Sequence, residues 1–343
     1  MMEVFDVIIV GGGPAGLICA KTLGKSDKRV LLLEKDDVFG DKLCAGGLTR
    51  KAKSILEVPD HIIEQKICDA TLFSPRNQSF SNTPSPLLFT VDRKNLGKWQ
   101  RDRLEESGVT VQINAQVTGI DPDTVTLKDG TIYGYRNIVG ADGYASIVRR
   151  YLNIPVVKRL IGIQYTLPVQ DVTPMLQIYL HSRFFKSWFA WVFPHRHSIA
   201  VGCCCDPRLM KASKLKENFH TWLSLRGIDT GDAILESSPI SYDFRGVRFN
   251  NIFLVGEAAG LASGLSGEGI YQSLVSGQEI ARMILDPDYD SVSLRSVVRF
   301  NRNQNRFMRV MYMAGIFRGL IIELILLLMN NKYIRTRVSN AFS

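Results

Sequence analysis

Several absences narrow the chemistry open to this chain of 343 residues. Its six cysteines form no Cys-x-x-Cys pair. They stand alone at Cys19, Cys44 and Cys68 or run together as Cys203-Cys204-Cys205, and three consecutive thiols do not supply spaced ligands to one tetrahedral ion. No metal centre is expected. No secretory leader is legible at the start, where apolar residues 4–10 pass straight into glycines. The thiols are therefore expected to be reduced and the protein cytoplasmic. No apolar run is long enough to cross a bilayer. The strongest, residues 320–329, has only Glu323 charged, and at ~1.5 Å per residue it falls far short of ~30 Å of hydrocarbon. Internal repeats and low-complexity tracts are absent too, which excludes solenoid architectures.

What the chain does have is positive charge, a formal +9. Such an excess favours anionic partners. The cations do not form a nucleic-acid-like block. They gather toward the C-terminus (Arg295, Arg299, Arg302, Arg306, Arg309, Arg318, Lys332, Arg335, Arg337), beside the apolar run. That arrangement suits a membrane surface better than a duplex, so no nucleic acid is expected. A solvated basic face and a buried terminal helix are the alternatives.

Periodicity predicts a strand over residues 5–10, a glycine turn, a helix over 17–23 and an apolar strand over 30–33. This is the βαβ unit of a parallel sheet. Residues 60–90 carry Pro59, Pro75, Pro84 and Pro86 among strand-like pieces and read as an excursion into a second layer. A helix over 92–107, a strand over 109–113 and a hairpin around Lys128-Asp129-Gly130 follow, and residues 138–141 return to the parallel sheet. Strands over 161–167, 176–180, 189–193 and 198–204, with a helix over 212–225, predict an antiparallel sheet. Residues 252–255 and a helix over 267–284 re-enter the first domain. The expected fold is α/β: a Rossmann-type FAD-binding domain (1–60, 91–153 and 246–288), an interleaved antiparallel β-sheet substrate domain (61–90 and 154–245) and a C-terminal helical segment (289–343).

Gly11-x-Gly13-x-x-Gly16 follows a strand and opens a helix. Gly11 permits the tight turn, Gly13 lets a pyrophosphate approach the backbone, and Gly16 allows close helix–strand contact. The helix tip adds free N–H groups and a positive dipole end. Glu34, with Lys35 beside it, sits where a carboxylate accepts ribose hydroxyls. Two further segments end strands: Gly140-Ala141-Asp142-Gly143 with Ser146 and Arg149, and Gly256-Glu257-Ala258-Ala259-Gly260. Each offers a carboxylate to polyol hydroxyls and glycines that admit a backbone.

Three such motifs in this order resemble the flavoprotein superfamily of p-hydroxybenzoate hydroxylase, which implies FAD. Within it, the chain resembles the geranylgeranyl reductase family. The resemblance rests on Lys42-Leu43-Cys44-Ala45-Gly46-Gly47-Leu48, on Phe189-Ala190-Trp191-Val192-Phe193-Pro194 and on Ser266-Gly267-Glu268-Gly269-Ile270, and it covers residues 1–285. It implies FAD contacts at Ala15, Glu34, Cys44, Ala45, Gly47, Arg93, Val117, Glu257, Gly269 and Ile270. Gly256, Gly267 and Asp142 are added as candidates. It also implies a prenyl wall of Phe189, Trp191, Phe193 and Pro194, and reduction of prenyl carbon–carbon double bonds by hydride from flavin N5. For Cys44, a role beside the flavin and simple packing both stand open. Trp191 and Phe193 share a strand face suited to core or ligand wall. His195 and His197, next to Pro194, are read as surface-loop histidines, with assistance in proton transfer as the alternative.

The chain departs from the family pattern in three places. Glu257 replaces the usual Asp, Phe189 a Tyr, and Lys186 a Pro. A flavin monooxygenase or halogenase is the alternative function, and a flavin-containing cyclase or binding protein a third. Only one Gly-x-Gly-x-x-Gly turn opens a βαβ unit, so the electron donor is expected to be transient NAD(P)H or a ferredoxin-like protein.

Overall fold

The computed structural model describes residues 2–105 and 107–331. The predicted tail cations Lys332, Arg335 and Arg337 lie outside the described residues. The chain forms two compact units. The first comprises residues up to Asp41, Arg93–Arg159 and Ile240–Asn303; the second comprises Lys42–Asp92, Leu160–Pro239 and Gln304 onward.

In the first unit, Val30–Leu33 is buried along its whole length and Glu3–Val10 from Val7 onward. Strands this apolar belong in the middle of a parallel sheet covered on both faces. The parallel strands run in the spatial order Ile252–Leu254, Ile132–Gly140, Glu3–Val10, Val30–Leu33, Thr110–Gln112. Numbered along the chain this is 5-4-1-2-3, the Rossmann order read from its other edge. The strand order reverses between Glu3–Val10 and Ile132–Gly140. Ligands of such sheets bind at that switch point, beyond the carboxyl ends of the strands. Both glycine turns, after Val10 and at Gly140, leave the sheet there.

Ile132–Gly140 departs from expectation. The sequence suggests two pieces, near 131–133 and 138–141, yet one strand spans both. Its first half pairs antiparallel with Thr124–Leu127, while along its length it pairs parallel with Glu3–Val10. The helix expected from 267 starts at Ile270, because Gly267 adopts φ +71°, outside the helical region. The helix expected over 92–107 ends at Asp102.

The second unit holds a seven-stranded sheet. Its order is Glu236–Ser241, Arg159–Pro168, Ser198–Cys205, Ala190–Pro194, Met175–Tyr179, Asp69–Phe73, Gln78–Asn82. Arg159–Pro168, Ser198–Cys205, Ala190–Pro194 and Met175–Tyr179 pair antiparallel in turn, as expected, but Met175–Tyr179 runs parallel to Asp69–Phe73, joining the 60–90 excursion to the sheet. Residues 42–60 group with this unit rather than with the nucleotide domain, since Gly47–Thr49 pairs with Leu88–Val91. The three consecutive cysteines lie in Ser198–Cys205 and are buried. Burial pushes the Cys204 thiol far above its ordinary value and the Cys205 thiol up to about 12, leaving them as inert packing groups.

The C-terminal helices are Val292–Met313 and Arg318–Met329. Among the described residues no single helix is long and apolar enough to cross a membrane, and these two meet at a bend of 108°. The second packs Ile322 and Leu326 with Met311 against Leu72 and Leu180.

Candidate active site

The first unit carries one half of the predicted site. Gly11 has φ +106°, and a Cβ there would lie 2.6 Å from the Ala141 carbonyl oxygen. The two switch-point turns therefore touch through backbone alone. A Cβ on Gly16 would lie 2.0 Å from the Gly11 carbonyl oxygen, so the helix Pro14–Leu23 meets the strand end only because no side chain intervenes. Gly13 differs: a Cβ there would meet nothing within 4 Å. This glycine is not needed for packing, and the space beside it is open. Gly13 caps the helix, Pro14 follows it, and no side chain caps the first turn, so the amides at the tip await an external acceptor.

The first unit also carries the other nucleotide-side residues predicted from the sequence. Glu34 is buried; its carboxylate accepts from the Gly12 and Asp36 amides. That fixes its orientation and leaves further lone pairs for hydroxyls. Lys35 is solvent-exposed beside Asp36. Val117 is buried at the start of Val117–Ile120; two residues earlier, the Ala115 amide donates to the Glu34 carbonyl. Arg93 opens the helix Arg93–Asp102, and its Nε is buried without a partner. Gly256 is packed against Ala15, since a Cβ there would lie 3.1 Å from the Ala15 methyl. Glu257 accepts from the Ser241 amide at 3.1 Å, and its other oxygen faces Gly143. Gly269 caps the helix Ile270–Leu285, whose first residue, Ile270, is buried.

Asp142 has a role the motif alone does not reveal. Its Oδ2 accepts from the Ile147 amide at 2.7 Å, capping the short helix Ile147–Tyr151, while Oδ1 is shielded and unpaired. Burial pushes the carboxyl up, against hydrogen bonds from Ser146 and nearby amides that pull it down. A raised carboxyl is bound to its proton more tightly in the folded chain than in the unfolded one. Its contribution is therefore complete below the unfolded value of 3.8 and is lost as pH rises through it toward the folded value. Asp142→Asn is expected to flatten that falling limb of stability against pH, checked by urea unfolding across the acid range.

An orphan buried donor at Arg93, an orphan acceptor at Asp142, an uncapped helix tip and open space at Gly13 match the phosphates and hydroxyls of a dinucleotide. The residues fit FAD.

The second unit carries the other predicted residues, and here the structure joins two distant stretches. Phe189, Trp191 and Phe193 alternate with buried Ala190, Val192 and Pro194, so the three half-buried rings share one face. Phe189 and Trp191 meet edge to face at 6.1 Å. Trp191 lies over Gly202, directly opposite in the ladder, where a Cβ would sit 2.4 Å from the indole. The glycine loop is fastened to this strand. A Cβ on Gly47 would meet the Phe193 ring at 2.7 Å. Trp191 Nε1 donates to Gln164 Oε1 at 3.1 Å, and Gln164 Nε2 donates to the Cys44 carbonyl at 3.5 Å. Cys44 is half-buried, and its Sγ accepts from the Gly46 amide at 3.4 Å.

His195 is not the surface-loop residue expected. It is buried, with Nδ1 on Glu64 Oε2 and Nε2 3.1 Å from the Ala45 carbonyl. It thus clamps the glycine loop from one side while Gln164 holds it from the other. Nothing in the sequence marks Gln164 or Glu64, because both lie on other strands remote along the chain, Gln164 beyond Ser198–Cys205 in the same sheet and Glu64 in a separate three-stranded sheet.

Residues 9–51 match the NAD(P)-binding Rossmann-like domain family. The chain is 28% identical over 297 residues to the geranylgeranyl diphosphate reductase of Rhodobacter capsulatus, covering 81% of this chain and 74% of that protein. It is 23% identical over 328 residues to the digeranylgeranylglycerophospholipid reductase of Methanocaldococcus jannaschii, covering 87% and 82%. The fold superposes on a geranylgeranyl bacteriochlorophyll reductase-like protein from Thermoplasma acidophilum with a TM-score of 0.84 at 21% identity, covering 97% of this chain and 93% of the other. The chain is thus similar to geranylgeranyl reductases and carries a Rossmann-like nucleotide-binding fold.

Proposed function

We propose that this protein is an FAD-dependent oxidoreductase that reduces carbon–carbon double bonds of a prenyl, geranylgeranyl-type lipid. The observation that carries this reading is the fastening of the 42–48 loop to the aromatic strand, through Gly47 on Phe193, Gln164 between Trp191 and Cys44, and His195 on Ala45. Three half-buried rings on one face suit an unbranched stack of methylated alkene units, which offers no hydrogen bonds and is recognised by apolar contact.

Gly11, Gly13, Ala15 and Gly16 admit the pyrophosphate to the helix tip. Glu34, with Lys35 beside it, takes the ribose; Arg93 lies toward the phosphates, and Val117 lines the adenosine. Asp142, Gly256, Glu257, Gly267, Gly269 and Ile270, together with Cys44, Ala45 and Gly47, make the remaining cofactor contacts. Phe189, Trp191 and Phe193 wall the prenyl chain; Pro194, expected with them, is buried on the opposite face of the strand. The chemistry that FAD supplies when bound is hydride donation from N5 to one alkene carbon, the other carbon taking a proton from a side chain or a water molecule. The protein's own residues hold the alkene in place and keep water away from it. Electrons come from NAD(P)H bound transiently or from an acidic ferredoxin-like carrier drawn by the positive surface. The protein acts in the cytoplasm, against a membrane surface that holds its lipid.

The anaerobic, dithionite-reduced protein is expected to convert a geranylgeranyl lipid to products heavier by two hydrogens for each bond reduced. Mass spectrometry decides the matter: unchanged product mass, or incorporated oxygen in air, overturns the reading.

A further inference from the structure

The C-terminal helices present a surface that the fold leaves uncovered. Val310, Met313, Ile316, Phe317, Leu320 and Leu324 all point outward, with Ile316 90% and Met313 77% exposed. Large apolar residues concentrated this way mark an interaction site rather than scattered surface. The surface is built, not frayed. On its inner side Met311, Ile322 and Leu326 pack together. Arg318 is buried and donates to the Met311 and Tyr312 carbonyls at 3.0 and 3.3 Å, closing the last turn of Val292–Met313 and holding the bend. Gly315 sits in that bend at φ +52°.

Charge says what covers it. From Val292 to Asn331 the sequence carries six arginines and one acid, Glu323. Glu323 is turned inward, accepting from Ser74 Oγ at 2.7 Å and Asn77 Nδ2 at 2.8 Å. Arg306 and Arg309 are exposed on the same helix turns as Val310 and Met313. The outward side therefore combines apolar and cationic groups and carries no acid between Val292 and Asn331. A second copy docked by two-fold symmetry sets like arginines in one small interface. A bilayer with anionic headgroups accepts both components at once: acyl boundary for the side chains, phosphates for the guanidinium groups.

We propose that this elbow lies in the plane of an anionic membrane, with its apolar side sunk ~5–10 Å into the boundary between headgroups and acyl chains. The elbow does not span. It specifies, and rests on, the membrane contact in the function proposed above.

The test is flotation of the full chain with vesicles of phosphatidylcholine alone and of phosphatidylcholine with a quarter phosphatidylglycerol. The chain is expected to float with the anionic vesicles, less so as salt is raised. Ile316→Asp with Phe317→Asp is expected to cut the bound fraction by about tenfold or more, since each apolar contact is replaced by a charge facing phosphate. Arg306→Glu with Arg309→Glu is expected to remove the preference for anionic over neutral vesicles. Far-UV circular dichroism and thermal unfolding verify that the variants fold, which is expected because all four side chains are exposed. Failure of the unaltered chain to float, or equal flotation of the Asp variant, overturns the proposal. So does a lipid-free dimer, seen by sedimentation, that the Asp variant splits; a second copy then covers the surface. Flotation involves no turnover, so either this inference or the reductase reading fails without the other.

Discussion

Gly13→Ala is expected to leave the fold intact and to cost the chain its flavin. A methyl group there meets no protein atom within 4 Å, so stability should change by no more than ~0.5 kcal/mol, as for an exposed position. The same methyl occupies the space beside the helix tip where a pyrophosphate must approach the backbone. The FAD dissociation constant should rise by about a hundredfold, equivalent to ~2.7 kcal/mol, read by flavin fluorescence quenching. Gly16→Ala is the contrast. Its methyl would stand 2.0 Å from the Gly11 carbonyl oxygen, so helix and strand must part. That variant should lose ~1–3 kcal/mol of stability, the range for overpacking, as well as its nucleotide. If both glycines behave alike in urea unfolding, the separation between a ligand-facing and a packing glycine is wrong.

Arg149→Met is expected to be the most destabilising single change in the first unit, by ~3–5 kcal/mol, the cost of breaking a buried pair from one side. Arg149 is 2% exposed. Its guanidinium donates to four carbonyls: Ile154 and Pro155 at 3.1 Å, Ala258 at 3.1 Å and Asp243 at 2.9 Å. It also lies 3.8 Å from the Asp243 carboxylate, which is equally buried. Desolvation pulls the Arg149 pKa below the usual arginine value, and Asp243 opposes that pull. Methionine fills a similar volume but leaves those carbonyls unpaired and Asp243 with only the half-exposed Arg245 as counter-ion. Because Ala258 lies in the Gly256–Gly260 segment, the loss should also loosen that turn and weaken FAD binding. Arg149→Lys, keeping the charge but not the planar fork, should recover only part of the stability. Chemical unfolding of both variants supplies the measurement.

Much of the nucleotide half was legible because its signals are local. A buried strand, a glycine turn and a helix within 30 residues imply one geometry, and the acid after Val30–Leu33 falls at a set distance along it. The aromatic strand was legible for a similar reason: alternation along Ala190–Pro194 assigns Trp191 and Phe193 to one face whatever packs against them. Asp142 was recognised as part of a motif but not as a helix cap, since that role depends on where the Ile147 amide points. His195 was misjudged because a histidine after proline carries no sign of its surroundings. Only the approach of Glu64 from a strand and of the Ala45 carbonyl from the 42–48 loop, both far off in sequence, makes it a buried clamp.

Periodicity and glycine placement, which act over a few residues, determined by themselves that this chain builds a Rossmann-like unit with an interleaved sheet. Tertiary structure alone decided which glycines pack and which face open space, that Gln164 and His195 hold the 42–48 loop, and that the C-terminal arginines divide between a buried bend and an exposed apolar surface. The reason is physical: hydrogen bonds, burial and charge pairing depend on distance in space, and residues a hundred positions apart come within 3 Å only once the chain has folded.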